Sequence, residues 1–300
     1  MQVLRDALKQ AQEHAIAIGH FNIADLVLLK AVFASAQELS VPLMVGVSEG
    51  EREFMGVQEV AALVRTLRDE FDYPIFLNAD HTHSLAKALD ASRAGFDAIV
   101  FDASALPFEQ NVQQTNKAVE AIKAINPWIL VEGEIGDIGT GSQIHEAAPE
   151  LVKGLTSPEE AKQFVETTQV DILAPAVGNM HGMLKSMVAG QTSKHLDIER
   201  IAQIKGAARV PLTLHGGSGT ADEDLQNAIA AGINIVHINT ELRVAWRHSL
   251  EEALAREPDE VVPYKILAFP LEAVKQIARS RLRLFNSPGN SSSQGVRRFR

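Results

Sequence analysis

Apolar and polar positions along this chain fall into two alternating rhythms. Short, mostly apolar runs recur at Ala15–Phe21, Pro42–Val47, Ile75–Asn78, Ala98–Phe101, Ile129–Glu134, Asp171–Pro175, Leu212–Leu214 and Ile233–Ile238. These read as buried strands. Between them lie longer stretches with apolar residues three and four apart. They predict helices over Leu26–Leu39, Val57–Phe71, Ser84–Ala94, Phe108–Ile125, Pro158–Thr167, Ile198–Ala207 and Ala221–Ala231. Ser157 precedes Pro158 and stands three residues before Glu160, a capping-box pattern with proline in the first turn. Glycine ends two of the helices, at Gly95 and Gly232.

Eight buried-type strands alternating with helices predict repeated parallel βαβ units. Their right-handed crossovers close into a TIM (β/α)8 barrel, an α/β fold of about 250 residues. A doubly wound sheet is the competing arrangement. The barrel is expected to end near Arg256, followed by one more helix over Leu271–Leu284. A single catalytic domain is therefore expected over 1–285. Residues 286–300 are rich in Ser, Gly and Asn, end in Arg297, Arg298 and Arg300, and are expected to be a disordered tail.

Composition narrows the chemistry. With 46% hydrophobic and 22% charged residues, the chain can build a core, which excludes global disorder and fibrous repeats. It has no cysteine, so disulfides, thiolate zinc sites, iron–sulfur clusters and cysteine nucleophiles are excluded. Ten histidines remain as possible metal ligands, with Asp and Glu. A net charge of −10 argues against general nucleic-acid binding, but leaves room for a small anionic substrate in a local pocket. Residues 1–14 are charged throughout with no apolar signal core, and no apolar run is long enough to span a membrane. A soluble cytoplasmic protein is expected.

In a barrel, functional groups gather where strands end. Here the strand ends carry His20 and Asn22; Ser48; Asp80, His81 and His83; Asp102; Glu132 and Glu134; Asn179, His181 and Gly182; His215 to Ser218; and His237, Asn239 and Thr240. One polar group at a strand end is ordinary, but polar groups at all eight are hard to assign to packing. His81, His181 and His215 occupy equivalent places on three strands and suit a three-imidazole metal site with an open position. Any one of them alone would more simply be a half-buried, satisfied histidine. His83 is the rival ligand, and His14, His145, His195 and His248 are expected at the surface. Asp80, beside His81, suits a ligand orienter or a proton carrier. Glu132 and Glu134 share one strand face, and their apolar flanks place that strand inside the sheet. The Gly216-Gly217-Ser218 turn suits an anion cradle after the seventh strand, although such a turn alone is a weak signal.

Taken together, Gly19-His20-Phe21-Asn22, Asn78-Ala79-Asp80-His81, Val131-Glu132-Gly133-Glu134-Ile135-Gly136, Ala174 to Gly182 and Leu214 to Gly219 resemble the class II, metal-dependent ketose-bisphosphate aldolases. The likeness extends to about Phe285 and includes Pro263-Tyr264-Lys265-Ile266. It implies zinc on His81, His181 and His215, with Asp80 as the acid/base. Glu134 and Asp102 match a second or displaced divalent-metal position. Gly182, Gly216, Gly217 and Ser218 match phosphate loops that also use a monovalent cation, Na+ or K+. Asn22, Ser48, His237, Asn239 and Thr240 match positions around the substrate. Nitrogen ligands also accept cobalt, iron or manganese.

The implied reaction reversibly cleaves a ketose 1,6-bisphosphate, with fructose preferred over tagatose. The products are dihydroxyacetone phosphate and glyceraldehyde 3-phosphate, by way of an enediolate. It needs no Schiff-base lysine, and none of the eight predicted strands contains lysine. A homodimer or homotetramer is expected. Other acceptor aldehydes, epimerisation through the same enediolate and a non-catalytic sugar-phosphate binder are the competing readings. Two departures from the family pattern stand out. His237 replaces an asparagine, and Ser142-Gln143 replace the acids of a loop implicated in proton transfer; either Glu146 or His145 substitutes, or the carbon-proton step is handled differently. Arg52, Arg243 and Arg247 are candidates for the second phosphate.

Overall fold

The computed structural model describes residues 3–139, 141–147 and 154–287. Among the described residues there are ten strands, β1 (Ile18–Asn22), β2 (Leu43–Val47), β3 (Ile75–Thr82), β4 (Ala98–Phe101), β5 (Leu130–Ile135), β6 (Ile144–His145), β7 (Ile172–Pro175), β8 (Met183–Leu184), β9 (Leu212–Leu214) and β10 (Ile233–Ile238). Eight of them close a parallel barrel in the order β1-β10-β9-β7-β5-β4-β3-β2. The remaining two, β6 and β8, pair with each other outside it. The single TIM barrel expected from the alternating rhythm is the architecture found.

Helices Leu26–Leu39, Val57–Phe71 and Phe108–Ile125 have the predicted limits. Local chemistry explains the starts of several. Asp25 accepts from the Leu28 N–H, Ser84 caps Leu85–Ala94, and Ser157 with Glu160 completes the expected capping box. The helix expected over Leu271–Leu284 spans Ala268–Phe285 and packs on helices Leu26–Leu39 and Thr240–Arg256. Its last residue accepts a hydrogen bond from Ala17 N–H at 3.0 Å.

The barrel floor holds a second, separate core. Ile18, Met44, Phe76, Ala98, Leu130, Ile172 and Ile235 point inward and meet Leu4, Ala7, Leu8 and Ala11. Those four residues form the apolar stripe of helix Leu4–Glu13, which plugs the floor. The segment that reads as charged throughout is thus amphipathic. The first strand also starts later than predicted. Ala15 takes φ +50° and Ile16 N–H bonds back to Ala11, so residues 15–17 form the exit turn of the plug helix. Most of the predicted tail, residues 288–300, lies outside the described residues.

Candidate active site at the barrel mouth

A regular strand would send Asp80 and His81 to opposite faces. Here β3 runs on to Thr82, and its register against β4 shifts between Ala79 and Thr82. His81 sits at φ +40°, left-handed backbone that a side chain seldom adopts. This bulge re-aims the chain so that both groups line the same cleft. The cleft is lined by Asn22, Asp80, the three predicted histidines and the loops after β7 and β9, among others.

His81, His181 and His215 come together, each held through one ring nitrogen. His81 Nδ1 lies 2.9 Å from Asp102, His181 Nδ1 2.8 Å from the Gly139 carbonyl, and His215 Nε2 2.6 Å from Glu132. That turns His81 Nε2 and His215 Nδ1 toward each other, 3.0 Å apart. The three residues each offer a ring nitrogen within 4.8 Å of the others. Carboxylate or carbonyl partners on the outer nitrogens are what metal-ligating imidazoles need to fix tautomer and orientation.

The electrostatics point the same way. Burial alone would lower the His81 pKa, but Asp80, Asp102 and Glu134 push it up to about 10. His181, buried and beside the other two rings, is pulled down to about 3. The carboxylates therefore call for positive charge at the point where neutral ring nitrogens meet. A divalent cation supplies that charge, and the donor set fits one. Glu134 Oε2 sits 3.7 Å from His215 Nδ1 and 3.7 Å from His81 Nδ1, buried and without a hydrogen-bond partner. Burial, then Asp102, raises its pKa to about 7. With His81 and Asp102 it forms the neighbouring metal-type cluster that the sequence implies.

Asp80 is buried and accepts from Asn22 Nδ2 at 2.8 Å; the same amide donates to Glu51 at 2.9 Å. Burial would raise the Asp80 pKa, but His81, His237 and His20 hold it well below the usual carboxylate range. His237 Nδ1 stands 3.4 Å from Asp80 Oδ1. The β1–β10 register sets His20 opposite His237, and their rings stack at 3.4 Å. Gly46 makes this possible, since a Cβ there would fall 2.0 Å from the His20 ring.

On the other side of the cleft, Gly182, Gly216, Ser218, Asn239 and Thr240 line one wall. Thr240 opens helix Thr240–Arg256, whose N-terminus favours an anion there. Ser218 Oγ accepts from the N–H groups of Asn239 and Glu241.

Several predicted residues land elsewhere. Ser48 is outside the cleft lining. It is the N-cap of helix Glu49–Met55, with its N–H and hydroxyl taken by Glu51. Gly217 is also set back, its N–H donated to the His237 carbonyl. The His83 side chain is 59% exposed, and its ring meets a backbone carbonyl. Arg52 is buried, donating to Asp80 O and Thr82, and Arg247 pairs with Glu251 on the surface. Arg243 alone of the three reaches the mouth, joining Glu51 to the Ser142 carbonyl. Ser142 lines the cleft, whereas Glu146 is exposed and paired with Lys185. His145 is half-buried rather than superficial: its ring crowds Gly182. Sequence reasoning missed Lys194, a buried lysine under the glycine loops. It sits in a polar stretch of the kind that usually faces water, so nothing in its surroundings marks it.

The model of the fructose-bisphosphate aldolase class-II family matches residues 2–290. A probable fructose-bisphosphate aldolase of Bacillus subtilis is 33% identical over 287 residues, covering 95% of this chain and 97% of its own. The fructose-bisphosphate aldolase of Geobacillus stearothermophilus is also 33% identical, over 292 residues, covering 96% and 98%. Among solved structures, the YdjI aldolase of Escherichia coli K12 aligns with a TM-score of 0.79 at 28% identity, covering 96% and 98%. The inward-facing Asp80, the converging imidazoles and these matches agree: the chain belongs to the class-II fructose-bisphosphate aldolase family of lyases, whose members are metal-dependent.

Proposed function

We propose that this protein is a zinc-dependent aldolase that reversibly cleaves fructose 1,6-bisphosphate to dihydroxyacetone phosphate and glyceraldehyde 3-phosphate. One observation carries the reading: three imidazoles, each anchored on its outer nitrogen, converge beside a buried, ionised Asp80. His81, His181 and His215 would hold the ion. Zinc, when bound, supplies Lewis-acid polarisation of the ketone carbonyl.

The protein's own groups do the rest. Asp80 takes the proton from the hydroxyl next to the bond that breaks, and that carbon leaves as the aldehyde. The bonding electron pair stays with the ketone half. Asn22 fixes the carboxylate through Oδ2, leaving Oδ1 for this transfer. Gly182, Gly216, Ser218, Asn239 and Thr240 orient the phosphate of the three-carbon ketone half, which turns binding into alignment. Asp102 and Glu134 serve His81 and a displaced divalent position. Arg243, held at the mouth between Glu51 and the Ser142 carbonyl, would take the distal phosphate.

The catalytic unit in this reading is 1–285, acting as a cytoplasmic homodimer or homotetramer. No helix among the described residues is long and apolar enough to cross a membrane. The test is a coupled assay with fructose, tagatose and sedoheptulose bisphosphates, with and without chelator. Turnover of the fructose substrate should be fastest and should stop on chelation. Asp80→Asn should lower kcat about 10²- to 10⁴-fold while keeping its metal. Undiminished turnover in Asp80→Asn would sink the assignment.

A further inference from the structure

The two glycine loops share a feature with no place in the scheme above. The ammonium of Lys194 lies beneath them, 2.8 Å from Met180 O, 2.7 Å from Gly182 O, 2.9 Å from Gly216 O and 2.5 Å from Ser218 O. The residue is buried. Burial pulls its pKa down to about 8, and the carboxylate that opposes this is Glu241, itself bound by Arg281. The ammonium is thus neutralised by carbonyl dipoles rather than by an ion pair.

An ammonium has three N–H donors, yet four oxygens surround this one. That is less a set of directed hydrogen bonds than the coordination shell of a small monovalent cation. Carbonyl oxygens that replace a hydration shell hold K+ in the same manner. Two of the carbonyls flank His181 and the other two follow His215, so one charge ties together both loops. Glycine is required for this. Gly216 has φ +62°, and a Cβ there would lie 2.2 Å from Met180 O, forcing the two carbonyls apart. The tether is also fixed: Lys194 N–H donates to Gly219 O, and its carbonyl accepts from Ala221 N–H.

We propose that Lys194 is a built-in replacement for the free monovalent cation, its ammonium filling the carbonyl cradle under the phosphate loops. The protein then needs neither Na+ nor K+ to order those loops. The clause about phosphate rests on the function proposed above; the occupancy of the cradle does not, so two readouts separate them.

The first is the thermal midpoint of the metal-loaded protein at constant ionic strength, with choline exchanged for K+ or Na+. Wild type should be indifferent to the exchange. Lys194→Ala, with an ammonium-sized gap, should be destabilised in choline and regain stability saturably with K+ or ammonium. A saturable K+ stabilisation of wild type overturns the proposal, and needs no variant that folds. A Lys194→Ala protein as stable in choline as wild type also overturns it. The second readout is calorimetric binding of inorganic phosphate. Wild type should bind with the same Kd in choline and in K+. Lys194→Ala should bind at least about tenfold more weakly in choline and recover in K+. If phosphate fails to bind wild type while the thermal pattern holds, the phosphate-site reading falls and the cradle assignment stands.

Discussion

The two ends of the barrel are made by the same strands and have opposite interiors. Moving two residues along β1 changes Ile18 into His20; along β5, Leu130 into Glu132; along β10, Ile235 into His237. Each pair projects to the same inner side. The floor layer is wholly apolar and sealed by helix Leu4–Glu13. The upper layer holds buried His20, Asn78, Asp80, Glu132, His215 and His237, and several of its polar atoms make no hydrogen bond within the protein: His20 Nδ1, Asn78 Oδ1 and His237 Nε2. Buried unpaired polar groups cost stability. The mouth bears that cost because the floor does not, and the division runs across a few ångströms of one strand.

That contrast can be broken at the floor first. Leu8→Ala should open a cavity against Ile18 and Phe76, costing about 2–5 kcal/mol of stability, with kcat unchanged below the melting range. Urea denaturation and steady-state kinetics on the same preparation would show it; a loss of kcat without loss of stability would mean the plug helix serves the mouth. At the mouth, Glu132→Gln should loosen His215 and weaken metal affinity about 10- to 100-fold, measured by competition with a chromophoric chelator. Unchanged affinity would remove Glu132 from the ligand-orienting set. The smallest change separates a cap from a pocket residue. Ser48→Ala should cost about 1 kcal/mol and leave KM as it was. A raised KM with normal stability would return Ser48 to the substrate wall.

How much of this was legible follows from the same physics. Buried parallel strands are continuous apolar runs, so all eight barrel strands were visible, and the caps marked several helix starts. The three histidines and Asp80 were visible because strand ends are where a barrel puts its chemistry. Helix Leu4–Glu13 was not, since its stripe lies among charged residues and only the closed floor gives that stripe something to cover. Helix Thr240–Arg256 buries few apolar residues and carries little periodic signal. The bulge at His81 depends on pairing with β4, which no local pattern encodes. Lys194 is the limiting case: four oxygens from two distant loops define its role, and those loops meet only in the folded chain.

The contact between Gly46 and His20 also limits the order in which this sequence can change. While the His20 ring is present, any side chain at position 46 overlaps it. A substitution at 46 becomes tolerable only after His20 has given way to something smaller, so the two sites are strongly non-additive. The stacked partner His237 would lose its neighbour in the first of those steps. A lineage that changes position 46 must therefore first replace or turn the His20 ring, and the ring can stack as it does here only once position 46 is glycine.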